Sequence, residues 1–233
     1  MKFLEAQRKV MRKFNQLLLG GNPYEKEEIC KDGIHCPTRT SASSALADTQ
    51  TALYHALVGR WYYSMLIPHV PSTAFAISGD GLYATPYPIN RTATYDRIGI
   101  QVSTLEAGKN IRFGIYEDDG AGYPGDLVID AGVASLGATG LISVALTPNQ
   151  QLTKGTLYWL ACVTDATGVA QVRTLATTYI INCFGDPAAL DSNLESDVSV
   201  ACPYGVLPDP FPAGGTYAGN RMFSTGLRLA SVP

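Results

Sequence analysis

The chain has 233 residues, of which 46% are hydrophobic and only 16% charged, and its formal net charge is −3. This length suits one fair-sized domain with an appendage, and the hydrophobic fraction permits a buried core. The charged fraction is low for a globular protein, and a mildly acidic body argues against specific nucleic-acid binding by the main domain. Five cysteines, an odd number, do not describe a disulfide framework.

Residues 1–21 have the pattern of an amphipathic helix, an anchoring and assembly arm. Leu4, Met11 and Leu18 recur every seven residues, and the run Gly20–Pro23 ends the pattern. An isolated helix of this length is marginal in water, so the arm folds back on its own domain, docks on another subunit or bundles with copies of itself. The whole apolar stripe comprises Phe3, Leu4, Val10, Met11, Phe14, Leu17 and Leu18.

Charged side chains interrupt this stripe every few positions, so we expect no signal peptide. No apolar run in the chain approaches the length of a membrane span, so we expect no membrane insertion. Residues 22–50 are polar, lack a sustained period and end in a Ser/Thr/Ala-rich run, which indicates a linker. Within it, Cys30, His35 and Cys36 are three potential zinc ligands, but a fourth ligand is not evident and free thiols are the favoured interpretation.

From about residue 51 the hydrophobic pattern changes to a period of two, which is typical of strands. Short strands separated by turn residues, with no strong helical segment between them, predict a mainly β domain over 51–233, an antiparallel sandwich or barrel. Residues 183–220 are rich in proline and glycine and predict a long surface excursion; whether Cys183 and Cys202, which bracket much of it, form a disulfide cannot be deduced. The predicted strands include Trp61–Ile67, Ile98–Val102, Ile111–Tyr116, Leu127–Ile129, Leu141–Leu146, Thr156–Val163, Gln171–Leu175, Tyr179–Ile181 and Gly226–Leu229.

The stretch Tyr116–Asp126, YEDDGAGYPGD, concentrates carboxylates between two predicted strands. Its glycines and proline are explained by turn geometry, since Asp-Gly and Pro-Gly pairs favour tight turns. The candidate calcium ligands are Glu117, Asp118, Asp119 and Asp126, but their spacing matches no EF-hand. A solvated turn is the favoured interpretation, and the sequence predicts no cofactor.

Residues 94–165 resemble a module of virion structural proteins of tailed bacteriophages, and the likeness extends over roughly residues 60–230. The motifs that carry it are Asp96–Ile100 (DRIGI), Arg112–Tyr116 (RFGIY), Tyr123–Gly125 (YPG), Asp130–Gly132 (DAG), Thr156–Ala161 (TLYWLA) and Pro208–Tyr217 (PDPFPAGGTY). The resemblance implies a jelly-roll-like β-sandwich on a phage particle, in a head or tail fibre, a spike or a capsid-decorating protein. It carries over no catalytic residue. Residues 1–50 have no counterpart in it and would be the attachment point to the particle.

Three functions follow as hypotheses. The first is a non-enzymatic structural protein of a virion, docked through its arm on other virion proteins, homo-oligomeric (a trimer as best guess), and serving host attachment or shell reinforcement. The second is a carbohydrate-binding module with exposed aromatic rings, because rings can stack on sugars. The third is a hydrolase using Glu117 and Asp119, although no nucleophile or metalloprotease motif occurs. The candidate glycan-facing rings are Tyr83, Tyr87, Tyr204 and Tyr217, with Trp61, Tyr62 and Tyr63 as further aromatic residues.

Overall fold

The structure, a computed structural model, describes residues 56–64, 73–176, 197–218 and 221–233. All of them belong to Thr51–Pro233, the second of two units into which the chain divides. These residues form strands and turns without a helix, and hence without a helix long and apolar enough to cross a membrane. Several predictions lie outside the described residues: the arm with its seven apolar side chains, the linker with Cys30, His35 and Cys36, and the strand Tyr179–Ile181.

The described residues form thirteen strands in two antiparallel sheets. Sheet A contains seven strands in the order β1-β13-β4-β9-β12, with β2 paired to β9 and β7 paired to β4, and sheet B has the order β11-β10-β3-β8-β5-β6. The predicted mainly β, antiparallel class is therefore confirmed. The strands are β1 (Trp61–Tyr63), β2 (Thr73–Ser78), β3 (Gly81–Pro88), β4 (Ala93–Thr104), β5 (Asn110–Asp118), β6 (Pro124–Ser135), β7 (Gly140–Leu152), β8 (Leu157–Thr164), β9 (Thr167–Ala176), β10 (Asp197–Ala201), β11 (Thr216–Ala218), β12 (Arg221–Phe223) and β13 (Gly226–Ser231).

In sheet A, strand β4 pairs with different strands along its length. Near its end β4 pairs with β9, through Val102 and Thr104. Farther back β4 pairs with β13 instead, with Gly99 opposite Gly226, while β12 continues along β9. The last two strands thus fill the gap where β4 and β9 diverge, and β1 adds to the outer side of β13.

The main hydrophobic core lies between the two sheets. Alternate residues of β5 point into it, since Ile111, Phe113 and Ile115 are each at most 1% exposed. On the adjacent strand β8, Leu160 and Cys162 lie opposite Ile115 and Phe113 and also point into this core. Period-two alternation, the signal used to predict these strands, therefore corresponds to a face buried in a sandwich.

The opposite face of sheet B carries a second core. Tyr116 and Trp159, both fully buried, lie on this face. Residues 202–215, which we call the strap, cover it and bury Leu207 and Phe211 against it. Both faces of β8 are consequently buried, which explains why its sequence reads as one apolar run rather than an alternation.

The prediction of a surface excursion over 183–220 was wrong for its described part. Strand β10 lies in this segment and pairs with β3 and β11, and its Val198 is fully buried. The prediction also omitted β3, whose Pro86 and Pro88 argue against a central strand. Proline is tolerated there because the pairing of β10 with β3 ends at Ala84, so no neighbour on that side needs an N–H from Pro86.

Candidate functional site: an aromatic cleft beside an acidic turn

The acidic turn between β5 and β6 is built by its own carboxylates. Asp118 Oδ2 accepts hydrogen bonds from the backbone N–H of Gly120 at 2.9 Å and of Gly122 at 3.3 Å. Asp119 Oδ1 accepts one from the N–H of Tyr123 at 3.2 Å. Gly120 and Gly122 have φ values of 89° and 87°, a left-handed conformation that glycine adopts without steric cost. Aspartate and glycine together therefore define this turn.

The second oxygen of Asp118 faces the protein. Its Oδ1 accepts a 2.9 Å hydrogen bond from the indole N–H of Trp159, while Glu117 and Asp126 are exposed. Within the part of the chain that the structure describes, no group of three or more His, Cys, Asp or Glu side chains is placed to hold a metal ion. The four calcium candidates, Glu117, Asp118, Asp119 and Asp126, thus form no such group, and the hydrogen bonds of Asp118 and Asp119 are those of a tight turn.

The turn also fastens the strap. The hydroxyl of Tyr123 donates to the carbonyl of Pro212 at 2.8 Å and accepts from the N–H of Gly215 at 2.9 Å. The hydroxyl of Tyr217 donates to the carbonyl of Gly122 at 2.8 Å. These bonds give the tyrosines of this region a structural task, since each hydroxyl satisfies backbone groups that would otherwise face the protein.

None of the four aromatic rings predicted to face a glycan is fully exposed. Tyr83 packs with its ring centroid 4.9 Å from that of Phe223, and Tyr87 is only 4% exposed. Tyr217 packs edge-on against Tyr123. Tyr204 is half-buried, and burial raises the pKa of its hydroxyl. The structure does not bring these four rings together into one platform.

A different set of aromatic side chains does form a concave surface. A cleft of about 360 Å³ opens where β1 meets the end of β3 and the start of β4. We call it the aromatic cleft. Its lining includes the aromatic side chains Trp61, Tyr62, Tyr63, Tyr87 and Tyr95 and the polar side chains Ser64, Asn90 and Arg91.

Hydrogen bonds and ring contacts fix the floor of the aromatic cleft. The hydroxyl of Tyr87 donates to the carbonyl of Tyr62 at 3.2 Å, and its ring packs edge-on against Tyr95 with centroids 6.5 Å apart. The hydroxyl of Tyr62 accepts from the N–H of Leu57 at 2.7 Å. Strand β1 is held on β13 with Trp61 opposite Arg228. The cleft is thus largely pre-formed, as ligand sites usually are.

The electrostatics of the aromatic cleft are simple. Among the described residues that line it, Arg91 is the one charged side chain. It is exposed and forms no ion pair with a described residue. Burial is the main cause that raises the pKa of Tyr87 well above its ordinary value, and it raises that of Tyr95 as well. Both phenols therefore stay neutral at neutral pH. Ser64 is 1% exposed, and its hydroxyl has no hydrogen-bond partner among the described residues.

The two cysteines within the described residues are buried free thiols, Cys162 and Cys202. Cys202 therefore forms no disulfide bridge across the 183–220 segment. Burial in the main core raises the pKa of Cys162 to about 12, so its thiol stays protonated and is inert as a nucleophile. Cys202 donates a weak hydrogen bond to the carbonyl of Pro203.

Sequence reasoning identified the aromatic run Trp61–Tyr63 but not the cleft. The polar residues that complete it, Ser64, Asn90 and Arg91, belong to separate segments that only the fold brings together. The nearest sequence signal is the Asn-Arg pair that directly follows the strand β3 and its flanking Ile89. Comparison with known proteins adds no relative: no protein-family model matches this chain, and no curated protein matches it.

Proposed function

We propose that this chain is a non-enzymatic structural protein of a tailed-phage particle, a fibre, spike or decoration protein whose sandwich is a jelly roll. The arm of residues 1–21 would dock on other virion proteins, and the sandwich would project for host attachment or reinforce the shell. Homo-oligomers are part of this proposal, with a trimer as the expected form.

The observation that carries the proposal is the strand connectivity. Two sets of four paired strands, β2-β9-β4-β7 and β3-β8-β5-β6, face each other across the core. Along the chain, β2, β4, β7 and β9 alternate with β3, β5–β6 and β8 between the two sets. This strand order supports the proposal, because the jelly roll of viral capsid and lectin domains likewise places eight antiparallel strands in two facing sheets.

A second observation concerns the motifs on which the phage resemblance rests. They are distant in sequence, yet all except Asp96–Ile100, which lies in β4 of sheet A, meet on the outer face of sheet B or in the turn and strap beside it. Asp130 forms a 2.7 Å ion pair with Arg112 and accepts a hydrogen bond from the N–H of Leu207 at 3.2 Å. The hydroxyl of Tyr116 donates to the carbonyl of Pro208 at 2.8 Å. The motifs that meet there therefore act as one unit, the surface that receives the strap, and this supports treating their shared order as a module.

A fold class alone does not identify a function, so the test is made on particles. Phage particles from the source culture are purified by density gradient and analysed by mass spectrometry. Peptides of this chain should co-sediment with the particles in a fixed ratio to the major shell protein. Their restriction to the soluble fraction would overturn the proposal.

The oligomeric part has its own test. Light scattering of the full-length protein should give a mass near three times 24.9 kDa. A monomer at all concentrations would remove the trimer from the proposal and leave the docking of the arm on a different protein. A dimer would also contradict the trimer.

A further inference from the structure

We propose that the aromatic cleft is a binding site for a pyranose sugar that carries a carboxylate, of the uronic-acid type. Sequence alone suggested Tyr87 and the run Trp61–Tyr63 as aromatic candidates, and the fold adds Tyr95 and the polar residues Ser64, Asn90 and Arg91. The proposal concerns the sandwich itself and does not depend on where the protein is placed in a particle.

The shape and lining of the cleft favour a small amphipathic ligand. Its volume of about 360 Å³ lies at the lower end of the range for small-molecule sites, roughly 300–1,000 Å³. Tyrosine and tryptophan rings present an apolar body with a polar tip. A sugar ring is the matching ligand, because its C–H groups pack on such rings while its hydroxyls reach their polar tips.

The polar groups of the lining favour a ligand that both donates and accepts hydrogen bonds, which the apolar walls cannot select. Asn90 offers both a donor and an acceptor, and a hydroxyl such as that of Ser64 can do either. Sugar hydroxyls also donate and accept, so they can satisfy such groups in pairs. Ser64 is the most informative of these residues, since a buried hydroxyl ordinarily has a hydrogen-bond partner in a folded protein and this one has none among the described residues. This hydroxyl is closed off from solvent, so a ligand hydroxyl in the cleft would supply that partner once the Ser64 side chain rotates toward it.

The charge of the lining indicates an acidic ligand. Arg91 stands at the cleft with no acidic side chain among the described residues of the lining and without an ion pair to any of them. A guanidinium group binds a carboxylate through two parallel hydrogen bonds. An acidic sugar therefore pairs with Arg91 while its ring packs on the aromatic walls, whereas a cationic ligand would be repelled by Arg91.

The two tryptophans of the chain allow binding at the cleft to be distinguished from an effect elsewhere in the domain. Trp61 lines the cleft, whereas Trp159 is fully buried and donates its indole N–H to Asp118 on the other side of sheet B. Full-length ¹⁵N-labelled protein is titrated with sodium glucuronate, and the two indole N–H signals are followed by NMR after assignment with Trp61→Phe. The signal of Trp61 should shift in a saturable way with a Kd in the millimolar range, while that of Trp159 stays fixed.

Two variants and two probes make the result specific. Arg91→Gln should weaken glucuronate binding by about tenfold or more while leaving neutral methyl glucoside unchanged, and Ser64→Ala should weaken both. Arg60→Gln is the matched control, because Arg60 is exposed nearby but does not line the cleft. Benzoate, which has a carboxylate and an apolar ring but no sugar hydroxyls, tests whether those hydroxyls contribute to binding.

Each of the following outcomes would overturn the proposal: no shift of the Trp61 signal at about 100 mM glucuronate, benzoate binding more tightly than glucuronate, or equal loss of binding in Arg91→Gln and Arg60→Gln. Ser64→Ala removes a buried hydroxyl without a partner, so the variant should remain folded and keep the proposal testable. Binding of the sugar and sedimentation with particles are separate measurements, so failure of one is distinguishable from failure of the other.

Discussion

Leu207 Cδ1 occupies the place into which a β-carbon on residue 114 would project. Gly114, in the middle of β5, therefore leaves free the space that Leu207 of the strap fills against sheet B. The same β-carbon would lie 2.8 Å from the carbonyl oxygen of Ile129, so the backbone of β6 also closes this space.

Gly114→Ala should consequently destabilise the fold. A methyl group inserted into a packed site costs about 1–3 kcal/mol, because both Leu207 and the backbone of β6 must shift. Urea unfolding followed by tryptophan fluorescence measures this loss. Gly205→Ala is the matched control, since a β-carbon there meets only the carbonyl of Pro203 at 4.0 Å, and its unfolding free energy should change by less than about 0.5 kcal/mol. Equal stability of the two variants would contradict the proposed contact.

Truncating the strap should loosen the second core. Leu207 is 3% exposed, and Leu207→Ala should lower the unfolding free energy by about 2–5 kcal/mol through lost burial and the cavity left behind. The emission of Trp159, which packs in the same cluster, should also shift to longer wavelength as water gains access.

Val206→Ala serves as the control for that experiment. Val206 is the neighbour of Leu207 in sequence but is 77% exposed, so its truncation should leave both stability and the emission maximum unchanged. If both variants behave alike, the strap is not a packed part of the fold.

These contacts show which parts of the fold could be predicted from the sequence and which could not. Strand β5 was predictable because Ile111, Phe113 and Ile115 alternate with residues of the other face. The strap was not, because Leu207 and Phe211 stand singly among prolines and glycines, a composition that indicates a loop whether or not the loop is packed. Their burial depends on Gly114 and Tyr116, some ninety residues earlier, with Tyr116 donating its hydroxyl across a sequence separation of 92.

The aromatic cleft illustrates the same limit. Trp61 and Tyr63 were recognised as a cluster of rings, but a cleft requires the second wall that Tyr87 and Arg91 supply. That wall depends on β13 lying between β1 and β4 in sheet A. Periodicity identifies a strand and its faces, whereas the order of strands in a sheet comes from pairing over long distances in sequence.

Asp118 should matter for stability rather than for calcium binding. Asp118→Ala removes the acceptor of the Trp159 indole N–H and of two turn N–H groups, and removing the acceptor of a buried donor such as Trp159 costs about 1–3 kcal/mol. Asp126→Ala, at an exposed carboxylate of the same turn, should change the unfolding free energy by less than about 0.5 kcal/mol. Thermal unfolding of the unmodified protein in calcium and in EDTA should coincide; a rise in Tm with calcium would restore the metal-site hypothesis.

Stability should fall on acidification through two carboxylates. Hydrogen bonding from Arg228 is the main cause that lowers the pKa of Asp96 below its ordinary value of 3.8, and hydrogen bonding from the Thr167 hydroxyl is the main cause that lowers the pKa of Glu106 below 4.5. A depressed folded-state pKa means that the unfolded chain binds protons first. The stabilising contribution is therefore complete above the unfolded-state values and is lost as pH falls through the folded-state values.

Urea unfolding between pH 3 and pH 7, in about half-unit steps, measures this dependence. Unfolding free energy should decline below about pH 4.5, and the slope should be shallower in Asp96→Asn and in Glu106→Gln than in the unmodified protein. Salt should weaken the Asp96 contribution more than that of Glu106, since Asp96 pairs with a charged guanidinium at the surface whereas Glu106 accepts hydrogen bonds from neutral groups of β9. Unchanged slopes in both variants would show that other carboxylates govern the acid limb.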